Sequence, residues 1–462
     1  MGSRQTRLGA VALVTLAVVA MWAGLLQSAN ATPEVTTMRY GGDNRYATAA
    51  ALAEQAFPNG ATSVVLARGE DFPDGTEGFA DALAGNYLAG YVGGPILLTD
   101  ADDVPPETLD ALQTLKVKQV GILGGTYAVS DAVSSELETT ASTNSAGGDL
   151  VVGRIAGADR YQTAAMTAEQ VPASKVGLFD SKRTALITTG DNFPDALAAG
   201  PLAAADSFPL LLTNTDSLNQ YTAEALQALN IQQAIIVGGT SSVSPTVEAS
   251  IQQSGVSTIR IGGSDRQQTA ADLATFAIEY LGFKGTTVDL ARGDTYPDAL
   301  AAGPEAAKAG PAPIVLTSSP TVLSDETQDW IRQWDSSIDQ VDALGLEGAI
   351  SDSVLTQATD DAVCTIPATT TTTSPGLLGT LGLGGLLGGA APTTTSTSTT
   401  IGPGASACSP LPTSTTAAGS SGSTGSTTTT TPGETTTTTP GETTTTAAGA
   451  TTTTTSGSLL GL

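Results

Sequence analysis

Histidine is absent from the 462 residues. Without imidazole the chain has no Ser-His-Asp or Cys-His catalytic unit and no His-ligated zinc or haem. Its two cysteines, Cys364 and Cys408, are too few for a four-thiolate zinc site. Basic residues are also scarce, 18 against 45 acidic ones, giving a formal charge of -27. A surface of that sign repels phosphates, which argues against nucleic acid as a partner. Aromatic residues reach only 4%, yet hydrophobic residues make up 40%, enough for a sizeable core.

The two ends differ in composition from the middle. Arg4 and Arg7 precede an apolar stretch from Leu8 to Leu26, and Ala29-Asn30-Ala31 fits a small-residue cleavage site. We read residues 1–31 as a secretory signal peptide; an uncleaved anchor helix is the competing reading. No later run is long and apolar enough to span a bilayer, so no membrane contact is expected of the mature form. Beyond Cys364 there is no Lys, Arg or Asp, and threonine runs are broken by Pro-Gly-Glu. Such a segment buries too little apolar surface to offset its ordering entropy. Residues 365–462 are therefore expected to be a disordered, O-glycosylated stalk. Export permits a disulfide, but whether Cys364 and Cys408 pair with each other stays open.

The middle repeats itself three times. The copies open at Arg39-Tyr40-Gly41-Gly42-Asp43-Asn44-Arg45, at Arg154-Ile155-Ala156-Gly157-Ala158-Asp159-Arg160, and at Arg260-Ile261-Gly262-Gly263-Ser264-Asp265-Arg266. A second block ends in Phe72-Pro73-Asp74, Phe193-Pro194-Asp195 and Tyr296-Pro297-Asp298. The first copy carries an insertion after it, read as roughly Gly75–Asp81. A third block is Pro95–Thr99, Pro209–Thr213 and Pro313–Thr317. A fourth holds Gly124-Gly125-Thr126 and Gly238-Gly239-Thr240, and decays to Gly345-Leu346-Glu347 in the third copy. Domain boundaries follow at 32–150, 151–256 and 257–364, each long enough for its own core.

Val64–Ala67, Ile96–Leu98 and Val120–Leu123 are short continuous apolar runs, as strands buried on both faces require. Between them lie helical patterns such as Glu107–Leu115. Alternating strand and helix predicts α/β modules, each a small parallel sheet with helices on both sides.

Asn44, Asp159 and Asp265 are placed to cap helices, with Gln162 closing a capping box. The following arginines, Arg45, Arg160 and Arg266, sit at the wrong end of a helix dipole and need a partner. An intermodule salt bridge and a ligand contact are both open. The Gly-Asp-x-Phe/Tyr-Pro-Asp block falls at the carboxyl end of a strand, where open α/β sheets bind ligands, although a rigid connector would use the same residue types. Asp191 and Asp294 are expected to cap the next helix. Carboxylate pairs could hold a divalent cation such as calcium, but no EF-hand spacing is present. Nucleotide-binding glycine fingerprints are missing.

These four ordered blocks resemble the cell wall-binding repeat 2 family of Gram-positive surface proteins, over about Arg39 to Ser351. The resemblance implies three Rossmann- or Toprim-like modules in a pseudo-threefold arrangement. It implies a non-catalytic, surface-layer-like anchor that holds an exported protein to the envelope by binding an anionic secondary cell-wall polymer or peptidoglycan in grooves between modules. By position, Arg45, Arg160, Arg266, Arg68, Arg292, Asp74, Asp195 and Asp298 are the candidate ligand-binding residues. Departures within the copies, such as Thr189 at the place of Arg68 and Arg292, imply unequal grooves. An acidic chain is at odds with an anionic ligand, unless local arginine clusters or bridging cations intervene. Two other functions stay open at this point: a wall hydrolase using paired carboxylates, and an outward-facing adhesin on the threonine-rich stalk.

Overall fold

The structure, a computed structural model, describes residues 34–141, 150–308 and 310–363. The leader, the threonine-rich tail and both cysteines lie outside them. The first repeat runs β1 (Thr36–Tyr40), α1 (Arg45–Ala56), β2 (Ser63–Arg68), α2 (Ala80–Val92), β3 (Ile96–Thr99), α3 (Pro106–Thr114), β4 (Gln119–Leu123) and α4 (Asp131–Ala141). The second contains β5 (Val151–Ile155), α5 (Arg160–Glu169), β6 (Leu178–Phe179), β7 (Lys182–Thr189), α6 (Pro194–Ala205), β8 (Leu210–Thr213), α7 (Gln220–Ala228), β9 (Gln233–Val237) and α8 (Pro245–Gln253). The third contains β10 (Ser257–Ile261), α9 (Arg266–Tyr280), β11 (Thr287–Arg292), α10 (Gly303–Lys308), β12 (Ile314–Thr317), α11 (Asp325–Gln333), β13 (Gln340–Leu344) and α12 (Asp352–Ala362).

The apolar runs become the central strands, with β2 and β9 buried along their whole length. The sheets are parallel, in the orders β3-β2-β4-β5, β8-β7-β9-β10 and β12-β11-β13-β1. The short β6 adds one antiparallel pairing, to β7, that the periodicity does not reveal.

Repeat and sheet are offset by one strand. Each sheet ends on the strand that opens the next repeat: β5 pairs with β4, and β10 with β9. The offset closes cyclically, because β1 pairs with β13 of the third module. The opening arginines secure these borrowed strands. Arg154 donates to the carbonyls of Gly124 (2.8 Å) and Val129 (2.7 Å). Arg260 reaches Gly238 O (2.9 Å) and pairs with Glu248 (2.8 Å). Arg39 reaches Gly345 O (3.1 Å), Ile350 O (2.7 Å) and Asp352 (2.9 Å). Because Arg39 holds the first strand of the chain onto the last module, Arg39→Ala should loosen one edge only. Amide exchange over Thr36–Tyr40 should accelerate at least about tenfold, the equivalent of about 1.4 kcal/mol for lost charge-assisted bonds. The sheet containing β7 should exchange as before.

Helices α2, α6 and α10 meet at the centre. The first two are rich in Ala and Gly and buried nearly all round, as befits helices with neighbours on every side. Matching positions converge there. Phe79 stacks on Tyr296 with centroids 3.5 Å apart, and Phe193 meets them edge-on at 6.0 and 5.6 Å. Asn86, Gly200 and Gly303 also meet: a Cβ on Gly303 would lie 2.1 Å from Asn86 Oδ1 and 2.8 Å from the backbone of Gly200. These contacts define the pseudo-threefold axis. Within the described residues no helix is long and apolar enough to cross a membrane.

Candidate functional site

The Gly-x-Asp/Asn-Arg segment is where the chain passes from one module to the next. Its strand belongs to the preceding sheet, while the helix it starts packs on its own module and on the preceding axial helix. Capping occurs as the sequence implies: Asn44 accepts from Ala47 N, Asp159 from Gln162 N and Asp265 from Gln268 N. The Gln162 side chain departs from a capping box, accepting instead from Ala158 N at 2.6 Å.

The arginines that follow find partners on both sides of the junction. Arg45, Arg160 and Arg266 each donate to the carbonyl of a matching glycine, Gly69, Gly190 and Gly293. Each also faces the preceding module. Arg45 meets the ring and hydroxyl of Tyr296, the latter at 3.1 Å, and Arg266 lies over Phe193 at 5.7 Å. Arg160 instead pairs with Glu77 at 2.7 Å and donates to its carbonyl at 3.0 Å. Intermodule contact is thus their observed role.

The three carboxylates separate. Asp195 and Asp298 lie behind their junctions, each beside the glycine that ends a sheet strand. Asp74 does not match them. It is exposed within the inserted loop, where Thr76 donates to it through its amide (3.0 Å) and hydroxyl (2.6 Å). Asp81 takes the corresponding place, with Phe79 at the position of Phe193 and Tyr296. The extra residues therefore precede Phe79, and Phe72-Pro73-Asp74 only mimics the motif. The signal for this was Asp81-Ala82-Leu83-Ala84, which aligns with Asp195-Ala196-Leu197-Ala198.

Burial raises all three carboxyls, pushing Asp81 and Asp195 up to about 6. A hydroxyl opposes the rise in each case: Thr163 for Asp81, Ser242 for Asp195, and Thr48 for Asp298 at 2.9 Å. The neighbouring Gly124, Gly238 and Gly345 have φ of +101°, +122° and +98°. A Cβ there would fall 2.5–2.6 Å from a carboxylate oxygen, so side-chain space and backbone both demand glycine. The following glycine lacks the positive φ, and at Gly125 the space for a side chain is open, which accords with Leu346 in the third repeat.

Arg68 is buried and donates to Glu70 O, Asp71 O and Ala128 O, at 3.1, 2.8 and 3.3 Å. It also lies under the Phe72 ring at 4.9 Å, so it shapes the inserted loop. Arg292 forms a two-pronged pair with Asp294 at 2.9 and 2.8 Å. Asp294 is thereby diverted from capping. Asp191 is diverted too, accepting from the Tyr161 hydroxyl (2.8 Å) and Thr215 N (3.1 Å).

The inserted loop borders the first junction. A cavity of about 280 Å³ lies between modules one and two, bordered by Phe72, Glu77, Asp81, Tyr127, Asp159 and Arg160. Tyr127 is 72% exposed and stacks on Phe72 with centroids 4.8 Å apart. The sequence reading did not single out Glu77 or Tyr127, and it took Phe72 for the repeated motif and Asp81 for the end of the insertion; Glu77 lies in that insertion, and Tyr127 stands where the other copies have Ser241 and Gly348. Among the described residues, no group of three or more His, Cys, Asp or Glu side chains is arranged to hold a metal ion.

The third module also hides an acidic cluster. Asp289, Glu305 and Asp342 are 1%, 3% and 1% exposed. Asp342 accepts from Met38 N at 3.1 Å and from the Gln340 amide at 2.8 Å, whereas Asp289 Oδ2 and Glu305 Oε2 have no partner among the described residues. Burial first, then mutual repulsion, pushes Asp289 and Glu305 well up.

Comparison with known proteins gives a consistent neighbourhood. The sequence profile of Cell wall binding domain 2 (CWB2) matches residues 39–134, 154–248 and 260–355. The N-acetylmuramoyl-L-alanine amidase LytC of Bacillus subtilis is 33% identical over 270 residues, 58% of this chain and 48% of that protein. The amidase enhancer of the same organism is 31% identical over 265 residues, 57% of this chain and 32% of that protein. The chain thus spans about half or less of these curated relatives. Cwp6 from Clostridium difficile superposes with a TM-score of 0.59 at 26% identity, covering 70% of this chain and 48% of its own. Cwp8 from the same organism gives 0.59 at 24% identity, covering 75% and 55%.

Proposed function

Because the chain belongs to the Cell wall binding domain 2 family through all three of its repeats, we propose that it is a non-catalytic protein that grips wall polymer at its module junctions and so anchors itself non-covalently. Its location is the cell wall or surface, as its family and relatives have it. The observation that carries the reading is the crossing segment. In each repeat the same Asp/Asn-Arg turn lies at a boundary between modules, so that whatever binds there reads two modules at once.

The amidase relatives support a second reading, a part in wall turnover. It would not require catalysis by this chain, since the matched segment corresponds in length to the repeats. One experiment tests the anchoring reading: incubation of the full chain with purified wall sacculi, followed by sedimentation and assay of the supernatant. Anchoring predicts retention of the chain and no released muropeptides or reducing sugars. A chain left in the supernatant would contradict it, and released fragments would show catalysis by the chain itself.

A further inference from the structure

We infer that the groove between the first and second modules takes an uncharged or amine-bearing hexosamine ring stacked on Tyr127, and that phosphate-bearing polymer is not its ligand. This rests on the wall-binding reading and narrows it to a class of glycan.

Among the described residues Arg160 is the one cation bordering the cavity, and its guanidinium is already engaged by the Glu77 carboxylate, Glu77 O and Gly190 O. Glu77, Asp81 and Asp159 border the same space, so the described lining offers acceptors and no free guanidinium. A phosphate would face like charge there, within a chain of net charge -27. Hydroxyl and ammonium groups are donors and would complement it.

Tyr127 is a large, exposed ring held flat against Phe72, and Arg68 packs beneath Phe72. Aromatic side chains are costly to leave in water, and one braced in this way at a cleft presents a rigid apolar face. The apolar face of a pyranose ring matches it, with the ring hydroxyls directed to the carboxylates. The other junctions lack the platform: Ser241 and Gly348 stand where the first repeat has Tyr127. The first groove is therefore the one adapted for sugar.

The test is calorimetric titration of the full chain and of Tyr127→Ala with three soluble probes. They are N-acetylglucosamine oligomers, glucosamine oligomers and glycerol-phosphate oligomers. The native chain should bind both sugar series, the glucosamine series more tightly and with greater salt sensitivity, and should give no heat with glycerol phosphate. Tyr127→Ala should weaken sugar binding at least about tenfold, with an unchanged melting temperature because the side chain is exposed. Tighter binding of glycerol phosphate, or undiminished sugar binding by Tyr127→Ala, would overturn the inference. So would sacculi that retain the native chain while neither sugar series binds; the broader anchoring reading would then survive. Failure of the native chain to sediment with sacculi would remove that reading itself.

Discussion

Gly303→Leu should disrupt the packing of the three modules about their common axis. A β-carbon alone at this position would meet Asn86 Oδ1 at 2.1 Å and the Gly200 backbone at 2.8 Å. Nearby side chains leave little room for retreat, since α2 and α6 are buried nearly all round. Overpacking a close-packed interior costs about 1–3 kcal/mol for small additions and more when backbone must move. We expect Gly303→Ala to cost about 2–3 kcal/mol and Gly303→Leu at least about 4 kcal/mol. Thermal unfolding gives the loss, and small-angle scattering should show an expanded particle for the leucine variant. Asn86→Gly in the Gly303→Ala background should recover much of the loss, because the worst contact is with Asn86. An unperturbed Gly303→Ala protein would mean that the axial helices are further apart than described.

The second large effect is a gain. Asp289 and Glu305 occupy positions held by Val65 and Leu88 in the first repeat and by Leu186 and Leu202 in the second. They bury carboxyls in the same core, each with one oxygen that has no partner among the described residues. Both carboxyls have their folded values raised above those of an open chain. The folded protein therefore holds protons that the unfolded chain has released. The contribution of these two groups to stability is greatest below the ordinary carboxylate range and is lost as pH rises through the raised folded values. Tyr40 and Asp342 face the same cluster, and Asp342 adds to the repulsion. Asp289→Val with Glu305→Leu should stabilise the chain at pH 8 by about 1–4 kcal/mol, as replacing buried charge with packed apolar groups does. The variant's melting temperature should also depend less on pH between 5 and 8. Equal slopes for the variant and the native chain would refute the assignment.

Much of this architecture was legible because its signals are local. Apolar runs such as Val64–Ala67 and Val120–Leu123 became the buried strands β2 and β4. Glu107–Leu115 became α3, and Asn44, Asp159 and Asp265 became caps. The offset of repeat and sheet was not legible, since hydrogen bonding between strands far apart in sequence leaves no periodic trace. For Arg45, Arg160 and Arg266, the dipole argument showed that partners were needed but could not name them. Their partners are carbonyls of Gly69, Gly190 and Gly293 and groups of the preceding module. Asp74 misled because Phe72-Pro73-Asp74 copies the motif within an insertion, while the position itself is filled by Asp81. The cluster of Asp289, Glu305 and Asp342 could have been found by aligning the copies, as acids where the other repeats are mostly apolar.

The account rests on polymer seated between modules, and hydrogen exchange on the full chain with and without solubilised wall fragments tests that directly. Binding should slow exchange at Gly125–Ala128 and Gly157–Arg160, the two sides of the first junction, while the outer helices α3 and α7 exchange at their free rates. Protection confined to the outer helices, or no protection at saturating fragment, would contradict it.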